Sequence, residues 1–345
     1  MNAFSKKLLT GLGISIGSAF LYSKIRDNLR YISFQGKVVL ISGGSRGLGL
    51  LLAQEFASAG ASIAILARDK DELRRAQNII QSKHPKTLVH TYECDCTQSF
   101  HVQETVSKVL QDFGGIDVLV NNAGIISSMP IQNATEEDFA ESLATHFWGP
   151  YYLIQAVVPH MTRGSRIVNI SSIGGLVPIP HLAAYCTGKF ALTGYSRSLR
   201  NELMKDGIYV CTICPSLMRT GSVDHAKFKG QARKEYTIFS LTASLPLISQ
   251  SAERSARKII KAAHFGQAEL VISLNAKLAQ LLDSHFPGLF SDIMSLANYL
   301  LPGPTDNLDM SLEGKDAHTF ISDSILTQSS HSAALRNNEG QIRHT

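Results

Sequence analysis

The sequence predicts an α/β protein built around a doubly wound parallel sheet of about seven strands, a Rossmann-type fold. Short runs of Val, Ile and Leu recur from Lys37 onward, and segments with helical spacing separate them. Near-continuous apolar runs are typical of parallel strands, which are buried on both faces. A Gly-rich turn follows the first run, at a place where a strand passes directly into a helix. Ligands of such sheets bind at the carboxyl ends of the strands, so we expect functional groups there.

Seven segments carry the strand pattern, and the rest of the chain divides around them. The predicted strands are KVVLIS (37–42), SIAILA (62–67), TLVHTYEC (87–94), DVLVNNAG (117–124), SRIVNISS (165–172), IYVCTICPS (208–216) and AELVISL (268–274). We predict a hydrophobic N-terminal segment over 1–34, the α/β domain over 35–274, an amphipathic helical extension over 275–303 and a polar, mostly disordered tail over 304–345.

The N-terminal segment contains the uncharged run Leu8 to Tyr22, which Lys and Arg residues flank on both sides. About twenty apolar residues are normally needed to span a bilayer, so this run is short. It is compatible with a membrane anchor, an interfacial helix, the apolar part of a signal peptide or a helix packed on the domain. We expect a cytoplasmic protein, with membrane association through this segment left open.

The overall composition excludes several classes of function. The formal charge of +5 is spread thinly along 345 residues, and no Lys/Arg block resembles a nucleic-acid footprint. Five cysteines give little support for a disulfide framework. Cys211 and Cys214 form a C-x-x-C within a predicted strand, where residues three apart face opposite ways, so we predict free thiols and no metal site.

The turn after the first strand has the composition of an anion-binding site. Glycines let the backbone turn tightly and approach a pyrophosphate, and the free N–H groups of the following helix favour a negative charge. Their spacing is G-x-x-x-G-x-G. The candidate cofactor-binding residues of this turn are Gly43, Ser45, Arg46, Gly47, Leu48 and Gly49.

This spacing resembles the cofactor loop of the short-chain dehydrogenase/reductase family, and further motifs of that family follow in order. They are Asp95, Asn121-Asn122-Ala123-Gly124, Ser172, Tyr185-Cys-Thr-Gly-Lys189 and the segment CPSLMRT (214–220). The resemblance covers roughly Lys37 to Ser273. It implies that Asp95 binds the adenine amino group, that Asn122, Ala123 and Gly124 line the adenine ribose, and that Pro215, Met218 and Thr220 meet the nicotinamide. The family also implies a homodimer or homotetramer.

The end of the second strand indicates which dinucleotide binds. Enzymes that prefer NAD place an acidic residue there, to accept hydrogen bonds from the ribose 2′-hydroxyl. Here Ala67 takes that position and Arg68 follows it, with Arg46 in the Gly-rich turn. Two guanidinium groups suit a 2′-phosphate, so we predict NADP(H) as the cofactor.

Tyr185 and Lys189 are the candidate catalytic pair, together with Ser172. A spacing of four places both side chains on one helix face. A free tyrosine has a pKa of about 10, and a nearby ammonium together with the positive charge of the nicotinamide is expected to lower it towards the working range. Tyr185 would then exchange a proton with the substrate oxygen while Ser172 orients that oxygen, and the resemblance implies that Lys189 holds the nicotinamide ribose. Strand alternation predicts that the adjacent Ser171 faces away.

One position departs from the family pattern. His146 stands where the family usually has an asparagine that holds a water linked to the catalytic lysine. Histidine donates and accepts hydrogen bonds and changes charge near pH 6.5. We include His146 among the candidate catalytic residues, with an altered pH dependence and a purely structural role as alternatives.

Together these features predict an NADP(H)-dependent oxidoreductase that interconverts an apolar ketone and a secondary alcohol. The apolar character of the substrate is inferred from the 236–248 segment, the C-terminal amphipathic stretches and the possible membrane anchor. A non-catalytic NADP(H)-binding sensor or scaffold is the main alternative, and a lyase or epimerase with transient hydride transfer is a third.

Overall fold

The computed structural model describes residues 25, 27–245, 248–307, 310–319, 322 and 327–339. The apolar run at 8–22 lies outside these residues. Among the described helices, none combines the length and apolar composition that a membrane crossing requires.

The predicted seven-stranded sheet is confirmed. Its strands are β1 (Val38–Ser42), β2 (Ser62–Ala67), β3 (Val89–Glu93), β4 (Val118–Asn121), β6 (Arg166–Ile170), β7 (Tyr209–Cys214) and β11 (Glu269–Val271). All neighbours pair in parallel, in the order β11-β7-β6-β4-β1-β2-β3. The order reverses at β1, so the crevice for a ligand opens beyond the carboxyl ends of β1 and β4.

Helices cover both faces of this sheet. Those of the first half are α1 (Gly47–Ser58), α2 (Lys70–Lys83), α3 (Ser99–Phe113), α4 (Glu136–Leu143) and α5 (Gly149–Val157), and α6 (Ala183–Leu203) and α8 (Ala252–His264) follow. One apolar cluster joins α1, α2 and α8 to one face, and a second joins α3, α5 and α6 to the other. Burial of both faces explains why the strands are apolar throughout.

A smaller layer covers the carboxyl edge of the sheet. It contains α7 (Ala232–Ser244) and the short strands β5 (Ser127–Ser128), β8 (Met218–Arg219), β9 (Lys227–Lys229) and β10 (Gln250–Ser251). Beyond the main sheet, Phe286 separates α9 (Leu274–His285) from α10 (Pro287–Asn298).

The described part of the C-terminal tail contains two short elements. β12 (Ser311–Glu313) pairs antiparallel with β9, and α11 (Gln328–Arg336) follows. Leu312 and the fully buried Ala317 join an apolar cluster with Phe228 and Tyr236. These contacts attach the described part of the tail to the domain, and disorder over most of 304–345 stays a prediction.

Candidate active site

A cavity of about 960 Å³ lies at the carboxyl edge of the sheet. Every site residue predicted from the sequence borders it, with the exception of Gly49, which is buried under the turn. The parallel strands therefore bring the cofactor motifs and the catalytic motifs to one place.

The Gly-rich turn is built by close approach of backbone to backbone. A Cβ on Gly49 would lie 2.0 Å from the carbonyl oxygen of Gly43, so only glycine fits there. The Ser42 hydroxyl accepts hydrogen bonds from the N–H groups of Asn122 (3.1 Å) and Ala123 (3.2 Å), and the Asn122 side chain donates to the Gly43 carbonyl (3.0 Å). These bonds fasten the turn to the end of β4.

The two arginines predicted at the cofactor end differ in their partners. Arg46 forms an ion pair with Glu72, with Nη1 2.8 Å from Oε1, and the Ser45 hydroxyl donates to the other carboxylate oxygen (2.9 Å). Arg68 is exposed at the cavity edge. Asp69 accepts the N–H of Glu72 and so caps α2. Sequence reasoning did not consider Glu72, although it lies only four residues beyond Arg68.

The remaining predicted cofactor residues lie along the same side of the cavity. The Asp95 carboxylate accepts hydrogen bonds from the N–H (3.0 Å) and hydroxyl (2.8 Å) of Thr97, which fix its orientation. The Thr220 hydroxyl donates to Ser222 (2.8 Å). Pro215 and Met218 border the cavity between these groups and the catalytic end.

The C-terminal tail reaches the Gly-rich turn, a contact that no motif of the sequence indicates. The N–H of Gly47 donates to the carbonyl of Asn337 (2.9 Å), and the N–H of Gly221 donates to Oε2 of Glu339 (2.7 Å). Glu339 is buried and borders the cavity. Burial raises the pKa of Glu339 to about 7, against the lowering effect of the Gly221 hydrogen bond.

Tyr185 and Lys189 lie on α6 at the centre of the cavity. Lys189 Nζ donates to the carbonyl of Ile170 (2.9 Å) and lies 5.8 Å from the centre of the Tyr185 ring. Burial raises the pKa of Tyr185 to about 12, opposed by a hydrogen bond with Ser172. Burial also lowers the pKa of Lys189 to about 7. The expected lowering of the tyrosine pKa rests on the positive charge of the nicotinamide as well as on Lys189; in the protein alone, loss of solvation disfavours the phenolate.

The two adjacent serines have different partners. The Ser172 hydroxyl hydrogen-bonds with Tyr185 and accepts the N–H of Gly174 (3.1 Å). The Ser171 hydroxyl instead lies 2.7 Å from that of Thr193 and donates to the Lys189 carbonyl (3.2 Å), both on α6. Of the two serines, Ser172 is the one that interacts with the tyrosine side chain.

His146 is buried in a π-helical turn between α4 and α5. Its Nε2 lies 2.9 Å from the carbonyl oxygen of Ile125, which can only accept, so Nε2 carries the hydrogen. Nδ1 is therefore an acceptor, and it is buried with no partner in the described part of the chain. Burial, and then the charge of Lys189, hold the pKa of His146 well below its usual range. This environment therefore favours the neutral imidazole.

The other end of the cavity is largely apolar. Side chains from the segment before α6, from α7 and from the region of α10 line it: Ile179, Leu182, Ile238, Phe239, Met294 and Leu301. A buried pair, His181 and Glu235, also borders this end. Sequence reasoning missed both residues, because their pairing joins two distant segments. Among the described residues, no group of three His, Cys, Asp or Glu side chains could hold a metal ion.

Comparison with known proteins identifies the family. A family model described as short chain dehydrogenase matches residues 37–229. An uncharacterized oxidoreductase of Thermotoga maritima is 33% identical over 218 residues, 63% of this chain and 85% of that protein. The 3-ketodihydrosphingosine reductase of Bacteroides thetaiotaomicron is 34% identical over 193 residues, 55% of this chain and 67% of the relative.

A solved structure gives the same result. L-Sorbose reductase of Gluconobacter frateurii, complexed with NADPH and L-sorbose, matches with a TM-score of 0.61 at 26% identity, covering 70% of this chain and 97% of that one. The resemblance found in the sequence is confirmed, and the chain belongs to the short-chain dehydrogenase/reductase family of oxidoreductases.

Proposed function

We propose that this oxidoreductase uses NADP(H) to interconvert an apolar ketone and a secondary alcohol, with Tyr185 as the general acid and base. The main observation behind this proposal is that Tyr185 and the Gly-rich turn border the same cavity. Tyr185 is hydrogen-bonded to Ser172 there and lies beside Lys189. The bound dinucleotide supplies or accepts the hydride. The protein supplies the proton, the orientation of the substrate and the dry surroundings.

The cofactor end fits a phosphorylated dinucleotide. A carboxylate of the chain itself, that of Glu339, lies against the N-terminus of α1, where a Cβ on Gly47 would be 2.7 Å from its Oε1. The site therefore accommodates the acceptor oxygens of an acidic group. Arg68 and Arg46 would hold the 2′-phosphate, Asp95 the adenine and Lys189 the nicotinamide ribose. The solved relative named above, L-sorbose reductase, is a complex with NADPH, which supports this choice.

The proton chemistry follows from burial. A pKa of about 12 keeps the phenol of Tyr185 protonated at neutral pH, which is the form that donates a proton to a carbonyl oxygen. The Ser172 hydroxyl would hold that oxygen next to the phenol. In the reverse direction the phenolate must form first, and this requires positive charge near the ring. The protonated phenol is thus the form that reduction of a ketone requires.

In this proposal His146 is connected to Lys189 through a hydrogen-bonded water. A Cβ on Gly124 would lie 3.5 Å from His146 Nδ1 and 3.7 Å from Lys189 Nζ, so both nitrogens face the same small space. A neutral Nδ1 can accept a hydrogen bond from a water in that space, and the water can accept from the ammonium. The histidine would serve as the asparagine does in the family, without changing its own charge.

The apolar end of the cavity supports an apolar substrate. The side chains of Phe239, Met294 and Leu301 offer contact area to a hydrocarbon chain or ring system. The relative named as 3-ketodihydrosphingosine reductase is named for a long-chain ketone, which supports the same class. We therefore propose long-chain or polycyclic ketones as substrates.

Tyr185→Phe tests the assignment of the general acid. We expect the rate of NADPH oxidation with apolar ketones to fall by roughly 100- to 10,000-fold, because the proton donor is lost while the ring remains. NADPH binding, followed by nucleotide fluorescence, should change little. Turnover in the variant close to that of the parent would contradict the assignment. NADPH binding by the parent without turnover of any ketone would instead favour the sensor or scaffold alternative.

Arg68→Asp tests the choice of cofactor. The ratio of kcat/KM for NADPH to that for NADH should fall by about ten- to a hundredfold, because the acidic group repels the 2′-phosphate and accepts from a ribose hydroxyl. Arg74→Asp is the matched control, since Arg74 is exposed on α2 and pairs with Asp71. If Arg74→Asp lowered this kcat/KM ratio as much as Arg68→Asp does, the change in net charge of the protein, and not the position of Arg68, would explain the result.

His146→Leu and His146→Asn test the link to Lys189. Leucine has no acceptor, so kcat should fall by about three- to tenfold, the value of one hydrogen bond. Asparagine should restore most of the rate, and thermal unfolding of both variants shows whether the fold persists. A folded leucine variant with parental kcat would make His146 a structural residue only.

A further inference from the structure

A buried acid–base pair borders the apolar end of the cavity. His181 Nδ1 lies 2.7 Å from Oε1 of Glu235, and the Ser128 hydroxyl donates to Oε2 of Glu235 (3.2 Å). The side chains of His181 and Glu235 are 9% and 3% exposed. All three residues border the cavity, among apolar neighbours. Charged groups are costly to bury, so a pair in such surroundings calls for an explanation.

The backbone of His181 is also unusual. It has a φ of +62°, in the left-handed region that residues other than glycine rarely adopt. The carbonyl of His181 accepts the N–H of Met129 (2.8 Å), which helps to hold this conformation next to β5. Strained backbone of this kind is found preferentially at ligand sites.

The hydrogen bond of His181 with Glu235 uses Nδ1 and leaves Nε2 of the ring available to a ligand. The carboxylate of Glu235 accepts from Nδ1, which must therefore carry a hydrogen. Nε2 of His181 has no hydrogen-bond partner in the described part of the chain, yet it is not among the enclosed unpaired atoms. Glu235 thus holds a polar ring in place among the apolar side chains that line this end of the cavity.

We infer that His181, oriented by Glu235, is a specificity-determining residue that binds a second polar group of the ketone substrate. The inference rests on the proposed function and narrows it: the substrate is an apolar ketone that also carries a hydroxyl group. A site built to hydrogen-bond such a group rejects analogues that lack it, because the buried partner is then left unpaired. Glu235 is the positioning residue of this pair.

Substrate selectivity tests this inference. The probes are 2-dodecanone and its 1-, 4- and 6-hydroxy derivatives, with NADPH and the full chain. The parent should reduce at least one hydroxyketone with a kcat/KM at least tenfold above that of 2-dodecanone, mainly through a lower KM. In His181→Asn, which tolerates the positive φ, this ratio should fall at least fivefold towards one. Glu235→Gln should lower it in the same direction and serves if the first variant does not fold.

The outcomes separate the two claims. Lys234→Gln, an exposed change next to Glu235 on α7, should leave the ratio as it is in the parent. The role of His181 would be overturned, and the proposed function left intact, by either of two results. One is an equal kcat/KM of the parent for all four ketones. The other is that the folded His181 and Glu235 variants keep the parent's ratio of kcat/KM for the hydroxyketone to that for 2-dodecanone. Failure of the parent to reduce any of the four would overturn the proposed function and, with it, this inference.

A second inference comes from the C-terminal tail and is independent of the substrate. Besides the contacts of Asn337 and Glu339, the side chain of Asn338 donates to the carbonyls of Ser45 (2.8 Å) and Glu72 (3.2 Å). The tail thus forms hydrogen bonds along the Gly-rich turn and places a carboxylate at the N-terminus of α1. This is the place where the structure is suited to bind the phosphates of a dinucleotide.

Two buried polar groups of the tail destabilise its docked state. Nδ2 of Asn337 is buried with no hydrogen-bond partner in the described part of the chain, and the Glu339 carboxyl group is removed from solvent. Unpaired buried polar groups destabilise the state that contains them. We infer that residues 337–339 are an autoinhibitory segment that competes with the cofactor for the Gly-rich turn.

Cofactor binding tests this second inference. NADPH affinity of the full chain, measured by nucleotide fluorescence, should tighten at least fivefold in the double variant Asn338→Ala, Glu339→Ala. Ser332→Ala, an exposed change on α11, is the control and should not alter the affinity. Hydrogen exchange in the parent gives a readout without mutation, and saturating NADPH should increase exchange over residues 327–339. Unchanged or weaker affinity in the double variant, or increased protection of the tail, would overturn the inference.

Discussion

The parallel alignment of β1, β4 and β6 is the constraint on which the site depends. In the sheet, Ser42 lies level with Asn121, and Asn121 lies level with Asn169, so the three strands end at one edge. The Ser42 hydroxyl then accepts hydrogen bonds from the N–H groups of Asn122 and Ala123. These bonds fix the turn after β1 to the segment after β4. A slip of one residue would reverse the side chains of a strand and separate these loops.

Burial determines the chemistry at this edge. Loss of solvation disfavours the charged form of every group, so it raises the pKa of Tyr185, lowers that of Lys189 and keeps His146 neutral. In the protein alone, burial therefore disfavours the charged form of all three side chains. A charge brought into such a low-dielectric site acts more strongly than in water. The proposed cofactor would therefore change the proton affinity of Tyr185 as it binds.

Segments outside the repeating strand–helix pattern complete both ends of the cavity. At the cofactor end, the tail residue Glu339 contacts the Gly-rich turn. At the substrate end, Glu235 on α7 pairs with His181 in the segment before α6. The α/β framework is thus shared with the family, whereas Glu339, Glu235 and His181 lie outside the repeating strand–helix pattern. Sites on such connecting segments commonly carry specificity in folds with a common core.

The sequence by itself determined the sheet, the Gly-rich turn and the pairing of Tyr185 with Lys189. These features depend on local rules: continuous apolar runs form buried parallel strands, and a spacing of four places two side chains on one helix face. Only the tertiary structure decided the proton affinities, because they depend on burial. It alone also decided the contact between Asn338 and Ser45, which are 293 residues apart. No local pattern encodes such a contact, since it forms only when the folded domain brings distant segments together.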